Sequence, residues 1–326
     1  MQEQSPKTNV SHSSRSNVNL AGILLPFTTP FHRNEDLDLE GLRGNIRHWN
    51  KTGITGFVAL GSTGERVNLS EREALSVIDA ARAEVARELT FIVGVGQQST
   101  RQTINEVKNV AAAGADAVLV ITPNFYRPAI TAATLIKHYR NVADASPVPV
   151  ILYSMPDLTG VVIEPDVVAV LSEHPNIVGI KDSSNDIPRF KQMLGSVPAE
   201  FHLLSGNGTV FSEALAAGGR GAILAVGCAV AEQCVRIHKH LEKGEQAHAF
   251  SLQQKLTPLA LAVTKRYGIG GLKTALEIGG LAGGNVRAPL QLPNEAASRE
   301  IEQLLKTFLT ESNDETSTSV LASLEH

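Results

Sequence analysis

The stretch Asn176-Ile177-Val178-Gly179-Ile180-Lys181-Asp182-Ser183-Ser184 decides how the chain is read. Its apolar run is too short for a helix and too apolar for an edge strand, so it reads as a strand buried on both faces of a parallel sheet. Lys181 ends that strand. A lysine there keeps its stem among apolar neighbours and aims its amine above the sheet, where loss of water favours the neutral, nucleophilic form of an amine. Such a lysine can equally cap the strand or pair with the adjacent Asp182, so its surroundings must decide.

Working outward, short apolar strands alternate with helical patterns, the signature of βα units on a parallel sheet. The strands read as Ile23–Leu25, Gly56–Leu60, Phe91–Val95, Ala117–Ile121, Val150–Tyr153, Ile177–Lys181, Phe201–Ser205 and Gly221–Ala225. Helices are expected over Leu39–Trp49, Glu71–Arg87, Thr103–Ala113, Ala132–Ala143, Pro165–Leu171, Ile187–Leu194, Val210–Ala216 and Ala229–Lys243. Ser70 and Glu73 stand at capping-box spacing ahead of the second helix, and Gly114 and Gly218 mark later helix ends. Eight such units closing on themselves make an α/β fold, a (β/α)8 TIM barrel, with catalytic groups expected at the C-terminal ends of the strands. An open doubly wound sheet would announce a nucleotide through a glycine-rich first turn, and the first turn here is Pro26-Phe27-Thr28-Thr29-Pro30. The expected organisation is a disordered segment over 1–19, the catalytic barrel over 20–245 and a C-terminal helical extension over 246–310. Within the extension, Ser251–Tyr267 and Leu272–Leu281 read as helices, with Gly268-Ile269-Gly270-Gly271 as the break between them. Residues 311–326 read as a polar, disordered tail ending in a tag-like Leu324-Glu325-His326.

The formal net charge of −4 offers no basic field for nucleic acid or an acidic membrane, which leaves small-molecule chemistry. No apolar run approaches the ~20 residues that span a bilayer, and the first nineteen residues lack the apolar core of a signal peptide. A cytoplasmic enzyme is expected, with the serine-rich stretch around Ser11 to Ser16 leaving a mitochondrial transit segment as the alternative. Cys228 and Cys234 fall in what reads as one helix, where six residues rise about 9 Å, too far for a mutual disulfide.

On the lip that would hold Lys181, the second strand runs into Gly61-Ser62-Thr63-Gly64-Glu65. Two hydroxyls and glycine-exposed N–H groups ahead of a helix suit a carboxylate or phosphate, although an ordinary βα turn reads the same way. The fifth strand ends on Tyr153, a proton carrier or a packed core phenol. The seventh ends in Ser205-Gly206-Asn207-Gly208, where bare backbone can approach a ligand or make a tight turn. No metal site is expected: the histidines fall mostly on helices and loops, and no His-Glu-x-x-His or paired-cysteine pattern occurs.

Gly61 to Glu65, Tyr153, Lys181 and Gly206, in this order and spacing, resemble the dihydrodipicolinate synthase and N-acetylneuraminate lyase superfamily over about residues 20 to 308. Leu152-Tyr153-Ser154-Met155-Pro156, the 174–183 stretch, Gly271-Leu272-Lys273 and Arg287-Ala288-Pro289-Leu290 look most like 4-hydroxy-2-oxoglutarate aldolase. The resemblance implies a Schiff-base (class I) lyase that needs no cofactor, acts on a small 2-oxo acid and assembles as a homo-oligomer, a tetramer in the family's manner. It assigns Lys181 as imine-forming nucleophile, Tyr153 as proton shuttle and Ser62 as part of the relay, with Ser62, Thr63, Ser183, Gly206 and Ile223 at the substrate. Two positions depart from it. Where members carry a tyrosine reaching into a neighbouring subunit's relay, Asn124-Phe125-Tyr126 has phenylalanine, and where the synthase has a carboxylate-gripping arginine, Leu158 stands. Arg127 is a candidate replacement anchor, or a solvated loop arginine. Cleavage of a 2-keto-3-deoxy sugar acid or a sialic-acid-like substrate, a dehydratase using the same imine, a dihydrodipicolinate synthase, which Leu158 argues against, and a binding protein without turnover are the alternatives.

Overall fold

The computed structural model describes residues 18–322. Eight strands form a closed parallel barrel in sequence order: β1 (Gly22–Leu25), β2 (Gly56–Ala59), β3 (Thr90–Val95), β4 (Ala117–Ile121), β5 (Val150–Ser154), β6 (Ile177–Asp182), β7 (His202–Ser205) and β8 (Gly221–Ile223), with β8 pairing back onto β1. Around them lie α1 (Leu39–Trp49), α2 (Glu71–Glu84), α3 (Thr100–Ala112), α4 (Ala132–Ala145), the short α5 (Pro156–Thr159), α6 (Pro165–Ser172), α7 (Ile187–Leu194), α8 (Phe211–Ala216) and α9 (Ala231–Glu242). Then follow α10 (Gln246–Leu261), α11 (Gly268–Ile278) and α12 (Glu295–Ala322). The chain is a (β/α)8 barrel with additional C-terminal helices.

Near-continuous apolar strands are what such a barrel demands, because both faces of every strand are covered. Leu24, Val58, Ile92, Leu119, Ile151, Val178, Leu204 and Ile223 fill the interior, one from each strand. The intervening residues pack outward against the helices in a second, larger core. The capping box at α2 forms as its spacing predicts: Glu73 N–H donates to Ser70 Oγ, and Ser70 N–H donates to the Glu73 carboxylate at 2.9 Å. Gly114 and Gly218 close their helices at φ +97° and +117°, where a side chain would be strained.

The C-terminal extension locks onto the first βα units. The Asn45 side chain bridges Ala282, donating to its carbonyl and accepting from its N–H, both at 2.8 Å. Phe31 pairs with Asn285 across an isolated bridge. The helical break differs from the expected one: α11 already begins at Gly268, and the interruption is the wider-wound turn Ala262–Arg266. The two cysteines also fall on separate elements, Cys228 on a 3-10 turn (Val226–Cys228) and Cys234 on α9, and both are buried and free.

Most of the expected N-terminal segment and the closing residues 323–326 lie outside the described residues. The expected helical extension over 246–310 includes a third long helix, α12, which starts at Glu295 and continues to Ala322, past the boundary where a polar tail was expected. Its apolar stripe Ile301, Leu305 and Phe308 is fully buried, at helical spacing. Ser312 is also enclosed, and its carbonyl accepts the Arg236 guanidinium while the Glu311 carbonyl accepts Lys255 Nζ at 3.4 Å. Truncation after Thr310 removes those acceptors and is expected to lower Tm by about 2–4 °C in a thermal melt. An unchanged Tm would mean the docked end adds nothing.

Candidate active site

The C-terminal ends of β5 and β6 bring the two central groups together. Tyr153 and Lys181 are register partners across that pair of strands, each nearly enclosed, and Lys181 Nζ stands 4.3 Å from the centre of the Tyr153 ring. Asp182 does not pair with this lysine. Successive strand residues face opposite ways, and Asp182 instead accepts from Ser184 Oγ at 2.7 Å and from Ser184 N–H at 3.1 Å. Among the described residues no carboxylate reaches ion-pair distance of Lys181.

The turn after β2 brings a hydroxyl to the phenol. Leu60 and Glu65 both adopt left-handed backbone, φ 55° and 54°, and fold the turn back over the barrel mouth. Ser62 Oγ and Tyr153 Oη then lie 3.1 Å apart. The turn is held by Gly64 N–H on the Gly61 carbonyl and Glu65 N–H on the Ser62 carbonyl, so the N–H groups of Ser62 and Thr63 take no part in its internal bonds. Burial raises the Tyr153 phenol, but the nearby Lys181 charge and the polar side chains of Ser62, Lys181 and Ser183 outweigh it, and the phenol is held below its ordinary value.

Gly206 completes the floor. Its N–H donates to the Asp182 carbonyl at 2.7 Å, and its bare Cα lies against the lysine stem. A Cβ there would stand 2.7 Å from Lys181 Cε and 2.1 Å from Ser183 Oγ. Ser183 Oγ is buried and forms no hydrogen bond of normal geometry, and neither do the buried hydroxyls of Thr28 and Thr122, beyond β1 and β4. Buried hydroxyls of this kind call for a partner, and an oxygen-rich ligand would supply one. Thr28 and Thr122 were not singled out in the sequence, since a lone threonine beyond a strand carries no distinguishing pattern. Ile223 is fully buried in the same interior cluster as Tyr153. The structure thus brings Lys181, Tyr153 and Ser62 together, with Ser183 and Gly206 beside the lysine and Thr63 on the turn.

Phe125 and Tyr126 sit edge to face at 5.0 Å and are 74% and 70% exposed, on a loop pinned by Gln98 Oε1 accepting both the Asn124 and Phe125 N–H groups. Leu158 is 61% exposed. Far from this lip, where α9 turns into α10, His240, Glu245 and His248 come close enough to share an ion, an arrangement that spans a turn and so follows no metal-ligand spacing in the sequence.

A profile of the dihydrodipicolinate synthetase family matches residues 19–308, essentially the whole barrel and most of its extension. This chain belongs to that family. It is 33% identical over 290 residues to the 4-hydroxy-tetrahydrodipicolinate synthase of Methanospirillum hungatei, covering 88% of this chain and 99% of that one. It is 34% identical over 237 residues to a probable mitochondrial 4-hydroxy-2-oxoglutarate aldolase of Emericella nidulans, covering 71% and 77%. Among solved structures, a prophage protein of the same family from E. coli K12, in complex with pyruvate, superposes with a TM-score of 0.82 at 29% identity over 89% of this chain and 98% of that one. The family member described here is an enzyme of the class I, pyruvate-type aldolase and lyase kind.

Gly206→Ala is expected to displace Lys181 or Ser183 while leaving the fold intact. Steady-state turnover should fall by about 10²-fold, the scale of a misplacement near 1 Å, with little change in Tm. Normal turnover in this variant would show that the floor has more room than the distances allow.

Proposed function

We propose that this enzyme cleaves a 2-oxo acid through an imine on Lys181, and that 4-hydroxy-2-oxoglutarate is its substrate. The observation that carries the reading is the enclosed amine of Lys181, free of any carboxylate, lying on the face of a phenol that is itself bonded to Ser62. The Lys181 amine attacks the C2 ketone and water leaves, giving a protonated imine. Tyr153 takes the proton of the C4 hydroxyl, the C3–C4 bond breaks, and its electron pair passes into the imine as an enamine while glyoxylate departs. Tyr153 then returns the proton to C3, and hydrolysis of the imine releases pyruvate. The hydroxyls and N–H groups of Ser62 and Thr63 hold the C1 carboxylate and orient the imine, and Ser62 passes protons to and from the phenol.

The choice of substrate rests on the loop after Tyr153. Leu158 has no donor for a second carboxylate, whereas the Arg127 guanidinium leans over the same loop: a Cβ on Gly160 would meet its Nη1 at 2.7 Å. Arg127 has no ion-pair partner among the described residues, and a five-carbon dicarboxylate offers it one. The relatives named as synthases support a second reading, condensation of pyruvate with aspartate semialdehyde. The proposed assembly is a homo-oligomer, a tetramer by resemblance, in which the exposed Phe125 and Tyr126 would be covered. A cytoplasmic location goes with it; among the described residues no helix is long and apolar enough to cross a membrane.

Borohydride reduction in the presence of pyruvate should add a pyruvyl-derived mass to Lys181, read by peptide mass spectrometry. Labelling at Lys51 or Lys273 instead would sink the assignment. Measured as kcat/KM on one preparation, cleavage of 4-hydroxy-2-oxoglutarate is expected to exceed condensation with aspartate semialdehyde. Arg127→Leu should raise KM for the dicarboxylate by about 10- to 150-fold, the loss of one charge-assisted hydrogen bond, with pyruvate trapping unaffected. Condensation faster by tenfold or more would overturn the substrate assignment.

A further inference from the structure

Glu65 closes the turn that carries Ser62 and Thr63, and its carboxylate is sealed inside the protein. Lys273, brought from the far end of the chain by α11, stands 2.6 Å from it, and neither side chain is exposed at all. The other carboxylate oxygen accepts the Arg287 N–H at 3.2 Å and the Asn68 side chain at 3.3 Å. Lys273 also donates to the Asn285 carbonyl and lies 4.4 Å from the centre of the Phe31 ring, which Arg287 flanks at 4.5 Å. Burial holds the Lys273 ammonium below its ordinary value, with Glu65 opposing it only in part.

A sealed ion pair is a weak source of stability, because desolvating two charges offsets their attraction, and apolar side chains of similar volume often serve as well. What it does supply here is position. Glu65 has φ 54°, a left-handed backbone that a non-glycine residue keeps only when its surroundings over-determine it. Apart from the turn's own bonds, one other hold on it is the Thr29 hydroxyl, which donates to the Gly64 carbonyl at 2.8 Å. Three residues before Glu65, the Ser62 hydroxyl meets Tyr153. We propose that Glu65 and Lys273 are positioning residues: by locking the left-handed end of this turn they set Ser62 against Tyr153, so the C-terminal extension governs the proton relay without touching substrate. The catalytic half of this inference rests on the aldolase reading; the geometric half does not.

The test variant is Glu65→Met/Lys273→Met, which removes both charges of the pair together and keeps both side chains long. Its Tm should stay within a few degrees of the parent protein. Ultraviolet difference titration, with Tyr153→Phe subtracted to isolate one phenol, should then show Tyr153 ionising at higher pH than in the parent, because the Ser62 bond is lost. Exchange of pyruvate methyl protons with deuterated solvent should slow at least tenfold while borohydride still traps pyruvate on Lys181. An unshifted Tyr153 titration in the folded double variant overturns the proposal. Should that variant not fold, Glu65→Gln gives the same readout: a smaller upward shift supports the clamp, and no shift overturns it. A parent protein that neither traps nor exchanges pyruvate would sink the aldolase reading, and the titration would still judge the clamp.

Discussion

A single irregularity in one strand ladder brings the two central groups together. Val150 pairs with Ile177, but the next residue, Ile151, pairs with Gly179, so β6 carries one extra residue against β5 and Tyr153 arrives opposite Lys181. Had the first register continued, Tyr153 would face Ile180, whose side chain packs into the outer layer against the helices. Side chains alternate along a strand, so a slip of one residue changes which face a pair shares. Ser62, Ser183 and Gly206 matter only because this register sets a phenol and an amine side by side on the inner face.

The electrostatics of the mouth follow from the same placement. A cation over the face of an aromatic ring is attracted by the ring's quadrupole, and more strongly where water is excluded. Lys181 therefore favours phenolate character in Tyr153, against the burial that opposes it. Asp182, the nearest carboxylate along the chain, is turned to the other face and satisfied by Ser184. Burial raises its carboxyl, and the amine keeps its freedom from a counter-ion. The barrel thus separates, by strand alternation alone, the charge that would quench the site from the phenol that serves it.

Much of this was legible in the residues. Strand–helix alternation marked the eight units because buried parallel strands must be apolar on both faces, and Lys181 and Tyr153 stood out as polar residues ending such runs. The capping pair Ser70 and Glu73 carried its own spacing. What escaped was long-range. The register step at Val150 leaves no mark in composition, since Val150, Ile151 and Leu152 are all apolar. Glu65 and Lys273 stand 208 positions apart by their numbers, and although each lies in a family-like stretch, nothing in either marked them as partners until the fold enclosed both. The helix that carries Ile301, Leu305 and Phe308 was not singled out within the expected extension, and its continuation past Thr310 was hidden by the polar residues that follow. Cys228 and Cys234 were placed on one helix because the 3-10 turn that ends at Cys228 has the same apolar character as the start of the helix that follows.

The contact between Glu65 and Arg287 joins residues 222 apart in the chain, and a ribosome adds residues in order. At roughly 5–20 residues per second, Arg287 is made about 10–45 s after Glu65. Through that interval β1 and β2 can leave the ribosome and pair, but the carboxylate of Glu65 has no buried cation to meet and stays in water. The turn over the barrel mouth is therefore made well before the residues that lock it. A nascent chain that stalls before α11 would hold most of a barrel and an unfinished mouth.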